Sequence, residues 1–209
     1  MNKDKTMKKV EVESQRWLLD DFFKVEQVSL RHQRFDGSMS PQMHRLNFER
    51  GNGVGALLCD WRARRLVLVR QFRYPAWTTG HGWPLEVVAG MLTPGADPEA
   101  EMRREILEET GYRAEELEFI SDTFLSPGGS SERLLLYCAS IRADEPVQAG
   151  GGLDEEGEDI EVVGFSFDEG LALLEDGQIA DAKTLIALMW LRHRLLDSSR
   201  SPADQQLLD

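Results

Sequence analysis

Glu105, Glu108 and Glu109 stand at i, i+3 and i+4, so on a helix their carboxylates share one face. Like charges at that spacing cost about 0.2–0.5 kcal/mol per pair, and three together favour a cation. A solvated acidic face stitched by Arg103 and Arg104 is the plainer reading of the same residues. Carboxylate oxygens are hard donors that select Mg²⁺ or Mn²⁺, and the chain offers no Cys/His cluster for zinc. The segment that presents these acids is GMLTPGADPEAEMRREILEETGY, Gly90 to Tyr112. Asp97 suits an N-cap and Pro98 the first helical position, Glu99 and Glu101 favour the positive end, and Gly111 stops the helix after about three turns.

Gly90, followed by Arg104-Glu105-Ile106-Leu107-Glu108-Glu109-Thr110-Gly111-Tyr112, resembles the Nudix box, a glycine followed at fixed distance by R-E-U-x-E-E-x-G-U with U apolar. One position departs from it. The box expects a glutamate where this chain has Ala96, and the adjacent Asp97 could supply that carboxylate in a longer loop. The resemblance implies a Nudix-type α/β/α sandwich around a mixed sheet, in the α+β class. It also implies Glu105 and Glu109 as first metal ligands, Glu108 as a third, and the Ala89 carbonyl completing the site. Arg104 would orient a carboxylate within the helix.

Three more stretches are similar to the ADP-ribose pyrophosphatase branch and its relatives, the GDP-mannose hydrolases. They are Arg70-Gln71-Phe72-Arg73, Ser126 to Arg133, and Glu156-Gly157-Glu158-Asp159-Ile160. The similarity runs from about Phe22 to Trp190. It implies a homodimer that exchanges its N-terminal β segment, and a Mg²⁺ (or Mn²⁺) site. Glu156 is then the general base, with Glu158 next, although residues 154–159 also read as a solvated acidic loop. Arg73 would grip the diphosphate, with Arg45 and Arg50 in similar duty; each also reads as a surface ion pair. Phe22 would stack on a nucleobase while Phe23 fills the core, or the reverse. Glu132 would contact substrate, or pair with Arg133. The implied reaction cuts ADP-ribose to AMP and ribose 5-phosphate. GDP-mannose cut to GMP and mannose 1-phosphate is the alternative. A non-catalytic nucleotide-sugar-binding relative is the third reading, and Ala96 is the feature in its favour.

The elements that must position these residues follow from periodicity. Alternating apolar residues predict strands between Val10 and Phe35, a turn at Asp36-Gly37 and a returning strand from Met43 to Glu49. This segment, residues 1–50, is too small for a firm core of its own. In residues 51–198, strands are predicted at Val54–Cys59, Leu66–Arg70, Leu85–Val88, Leu117–Phe124, Leu134–Ile141 and Ile160–Phe165. Helical spacing marks Phe167–Asp176 and Lys183–Leu196. Residues 144–159 read as a mobile acidic loop, and 199–209 as a disordered tail. The formal net charge of −13 argues against nucleic-acid or anionic-membrane partners. Cys59 and Cys138 lie in apolar runs and read as buried thiols of a reducing compartment. With no run near the ~20 apolar residues of a membrane span, a cytoplasmic location is expected.

Overall fold

The structure is a computed structural model that describes residues 8–153 and 157–199. They divide into two compact units: one runs to Gly51 and takes in Phe124–Glu132, the other holds Asn52–Thr123 and the chain from Arg133. The expected N-terminal and C-terminal tails lie largely outside the described residues.

In the first unit, β1 (Val10–Asp20), β2 (Lys24–His32) and β3 (Met43–Glu49) form an antiparallel sheet in that order. The turn expected at Asp36-Gly37 is present. Gly37 takes φ +88°, open to glycine at little steric cost, and Asp36 Oδ1 accepts from the Ser38 amide at 2.9 Å. All of β1 is exposed, including Val10, Val12, Trp17, Leu18 and Leu19. Phe22 and Phe23 fall in the β1–β2 connection instead of a strand. The Ser-Pro-Gly-Gly loop belongs to this unit, with the Phe48 amide donating to the Gly129 carbonyl at 2.8 Å and Ser130 Oγ to the Phe48 carbonyl at 2.9 Å.

The second unit is built on β4 (Gly53–Asp60), whose residues are all buried, and β5 (Arg65–Arg70). A four-residue α1 (Tyr74–Trp77) follows, where a loop was expected; Pro75 in its first turn suits helix initiation. The chain continues through β6 (Leu85–Glu86), β7 (Val88–Met91), α2 (Pro98–Thr110), β8 (Glu116–Phe124), β9 (Arg133–Ser140), β10 (Glu161–Ser166), α3 (Phe167–Glu175) and α4 (Ala182–Ser199). The sheet runs β10-β5-β4-β9-β8, with β6 on β5 and β7 on β4. Because β4 and β9 are parallel while β4–β5, β4–β7 and β5–β10 are antiparallel, the sheet is mixed.

Period-two alternation sorts the core into two layers. Val54, Ala56, Leu58, Val67, Val69, Tyr137 and Ala139 meet Met102 and Ile106 of α2 on one face. Leu57, Cys59, Leu66, Leu68, Leu136 and Cys138 meet Phe167 of α3 and Ala187, Leu188 and Leu191 of α4 on the other. Burying each such side chain contributes about 1.5–3 kcal/mol. The α/β/α sandwich expected around a mixed sheet is therefore present. Both cysteines are free and buried. Among the described residues, no helix is long and apolar enough to cross a membrane.

The strand predicted at Leu85–Val88 is broken at Val87. Its amide donates to the fully buried Thr184 Oγ1 at 2.8 Å, outside the sheet ladder. That hydroxyl donates in turn to Asp181 Oδ2 at 2.6 Å, and the Thr184 amide donates to the same oxygen at 3.0 Å. The start of α4 is thus tied to the break between β6 and β7.

Candidate active site

The acidic helix forms as its sequence demands. Asp97 caps α2 by accepting from the Glu99 amide at 3.2 Å, Pro98 opens it, and Gly111 at φ +73° closes it with its amide on the Leu107 carbonyl. Asp97 is therefore engaged at the N-terminus of α2.

Glu109 is 2% exposed, and its Oε2 has no hydrogen-bond partner among the described residues. Its pKa is pushed up to about 8, first by burial, then by the charges of Glu105 and Glu158; Arg73 opposes the rise. Burial also raises the Glu105 carboxyl, with Arg104 opposing and Glu108 and Glu158 adding. An orphaned, proton-holding buried carboxylate is costly unless a partner arrives. Glu105 packs against Gly90 so closely that a Cβ at that position would run into its carboxylate. The first glycine of the motif is therefore a space for the acid. Ala89 precedes it on β7, opposite Gly55.

The predicted trio is not presented as one cluster. Arg104 holds Glu101 at 2.9 Å and Glu105 Oε1 at 2.6 Å from Nη2, and takes Glu108 Oε2 on Nη1. This is the orienting role expected of it. Glu108 is thereby drawn to Arg104, while Glu109 stays buried. Among the described residues no three Asp, Glu, His or Cys side chains stand together as a ready-made metal site. The donor chemistry nevertheless fits a divalent cation. All the oxygens are hard, and the unpartnered Glu109 Oε2 and the raised Glu105 and Glu109 protons are what bound positive charge would relieve.

Among its described residues the acidic loop is tied to the end of α2. The Val147 amide donates to the Gly111 carbonyl at 2.9 Å, Gly151 to Glu109 at 2.8 Å and Gly152 to Glu108 at 3.3 Å. These bonds occupy carbonyls that the end of a helix leaves unsatisfied. Glu158 Oε2 accepts from the Leu153 amide at 3.0 Å, and its charge reaches both Glu105 and Glu109. Glu156, the expected base, lies outside the described residues.

Arg73 also belongs to this cluster, its charge acting on Glu109. Its Nε donates to Glu86 Oε2 at 2.8 Å. The other Glu86 oxygen takes Lys183 Nζ at 2.7 Å, and Lys183 reaches Asp181 at 3.0 Å. Sequence reasoning missed Glu86 and Lys183. The available signal was an acid set inside the apolar run Leu85 to Val88, which needs a buried cation.

The first unit holds the remaining candidates. Phe22 is 82% exposed; Phe23 packs between Phe22 and Phe48, with ring centroids 4.8 and 5.2 Å away. Arg50 lies 5.6 Å from the Phe23 ring and 3.7 Å from Glu132. Arg45 Nη1 donates to the neighbouring His44 carbonyl at 2.8 Å. Arg133 pairs with Asp122 at 2.8 Å.

Comparison with known proteins agrees with this architecture. The NUDIX domain family matches residues 49–188. GDP-mannose pyrophosphatases of Escherichia coli O139:H28 (strain E24377A / ETEC) and Shigella flexneri serotype 5b (strain 8401) are each 33% identical over 177 residues, covering 84% of this chain and 91% of theirs. A solved structure described as an ADP compounds hydrolase superposes with a TM-score of 0.69 at 21% identity, over 95% of this chain and all of its own; at that identity the likeness is one of fold. With its box helix, its mixed sheet and two thirds of its length matched, the chain belongs to the Nudix family.

Proposed function

We propose that the protein hydrolyses the diphosphate bond of a nucleoside diphosphate sugar, with GDP-mannose the first substrate to test and ADP-ribose the second. One observation carries the reading: a buried Glu109 carboxylate, its Oε2 without a hydrogen-bond partner among the described residues, within reach of the charges of Glu105, Glu158 and Arg73. The relatives at 33% identity are named for GDP-mannose, which supports testing it first. The sequence stretches shared with the ADP-ribose branch keep ADP-ribose in the panel.

Glu105 and Glu109 would hold Mg²⁺ or Mn²⁺, with the Ala89 carbonyl and Glu108 as further ligands. When bound, the ion neutralises phosphate charge and makes its water more acidic. Arg73 offers its guanidinium to diphosphate oxygens. Glu156 takes the proton from the attacking water, with Glu158 as the alternative base. Water adds to one phosphorus as its bond to the bridging oxygen breaks, and the second phosphate leaves on that oxygen. Phe22, Arg45, Arg50 and Glu132 are proposed substrate contacts of the first unit. The exposed apolar residues of β1 support a homodimer formed through the N-terminal sheet, and the two reduced, buried cysteines support a cytoplasmic location.

The test is chromatography of products from GDP-mannose, ADP-ribose and ADP-glucose with Mg²⁺. GMP and mannose 1-phosphate are expected from the first. A dominance of AMP and ribose 5-phosphate would reverse the order, and no product from any of the three would overturn the reading. A nucleotide-sugar-binding protein without catalysis would bind the same compounds and turn none over.

A further inference from the structure

Buried between two cations in the second unit, the Glu86 carboxylate is 8% exposed. Its Oε2 takes the Nε of Arg73 and its Oε1 the Nζ of Lys183. The arrangement is asymmetric. Lys183 is 12% exposed and satisfied by Glu86 and Asp181 together, so it serves as a buried counter-ion. Arg73 is 40% exposed and gives Glu86 only its Nε edge. Its two terminal nitrogens make no hydrogen bond among the described residues, which leaves the fork that matches a pair of phosphate oxygens. The backbone fixes the same residue, because the Arg73 amide donates to the Gly82 carbonyl at 2.8 Å and closes the loop between them.

We propose that Glu86 is a positioning residue that acts through Arg73: by holding the Nε edge it fixes the guanidinium beside Glu109 with its fork turned free for a diphosphate. Lys183 and Asp181 complete the device: Lys183 pairs with the second carboxylate oxygen and Asp181 holds Lys183. The start of α4, where both sit, thereby sets the geometry of an arginine more than a hundred positions earlier in the chain. A flexible cation would lose side-chain entropy on gripping phosphate; one held in advance has already lost it. This inference rests on the reading of Arg73 as a diphosphate contact.

The experiment compares Glu86→Gln, Arg73→Ala and the double variant, in the full-length protein. Affinity for the α,β-methylene analogues of GDP-mannose and ADP-ribose is measured by calorimetry with Mg²⁺, alongside kcat and KM for the parent compounds and Mn²⁺ affinity by electron paramagnetic resonance. Glu86→Gln is expected to weaken analogue binding and raise KM about 10- to 100-fold, the usual cost of losing an outer-shell partner. The two single losses are expected to overlap in the double variant, with Mn²⁺ affinity little changed. Unchanged analogue binding in Glu86→Gln, or fully additive losses, would overturn the proposal. Equal loss of Mn²⁺ and analogue affinity would do so too, by showing a general structural role. Should Glu86→Gln fail to fold, Glu86→Gln/Lys183→Met removes both buried charges together and is read the same way. A wild type that binds the analogues without turnover would sink the hydrolase reading and leave this inference to the binding data. A wild type that binds neither analogue would sink both.

Discussion

Gly90 and Glu105 occupy one volume: the carboxylate of the acid fills the space where a side chain at the glycine would begin. The glycine does not sit at a positive φ, so its role here is close approach and not backbone freedom. Gly90→Ala is therefore expected to displace Glu105, lowering kcat/KM and Mn²⁺ affinity about 10- to 100-fold, as misplacing a ligand by its outer contacts commonly does. Steady-state kinetics and metal titration read the two effects.

Glu109→Gln should abolish the demand for a cation at the most buried acid of the helix. Turnover is expected to fall about 10³-fold or more, the scale of losing a preorganised electrostatic group, with analogue binding retained. Retention of wild-type turnover in this variant would remove Glu109 from the metal site.

The raised Glu109 carboxyl has a pH signature. Its folded value of about 8 stands above the ordinary Glu value of about 4.3. Between those limits the folded protein holds a proton that the unfolded chain releases. Metal-free stability should therefore be full at the acid end of this window and decline as pH rises toward 8. Glu105, also raised, titrates with it as a coupled pair. Denaturant unfolding at pH 5 and pH 8 should show the decline, and Glu109→Gln should flatten it.

Metal binding should report the same proton from the other side. Below about pH 8 an incoming Mg²⁺ must displace it, so apparent affinity rises with pH and protons are released. Calorimetry in buffers of different ionisation enthalpy would measure that release, expected to shrink in Glu109→Gln.

Thr184 joins the Val87 amide to Asp181 while wholly buried. Thr184→Val keeps the shape, strands the Val87 amide and takes one donor from Asp181, so a loss of about 1–3 kcal/mol is expected. Urea unfolding would show it as a shift in midpoint with unchanged slope.

The sequence revealed the parts of this molecule that obey local rules. The cap at Asp97, the stop at Gly111, the turn at Gly37 and the two-faced strands β4 and β5 each follow from a few neighbouring residues. The acidic face of α2 was legible for the same reason. What escaped depends on residues far apart in the chain. Nothing near Glu86 announces that Lys183 will neutralise it, and the break at Val87 depends on a hydroxyl in the last helix. The division of the trio by Arg104 was also hidden, because i, i+3 and i+4 spacing places side chains on a face without saying which way each carboxylate turns. Nothing in the glycine and charge of the 144–159 segment says that Val147, Gly151 and Gly152 bond carbonyls at the end of α2.

The link between Thr184 and Val87 has a practical corollary for anyone shortening this gene. Its closing helix is a keystone, not a trailing ornament. Trimming a clone before α4 would strip Ala187, Leu188 and Leu191 from one layer of the sandwich and, with them, the peg on which the bend before Ala89 hangs. Damage at the far terminus would then be felt as faulty catalysis at the middle of the polypeptide.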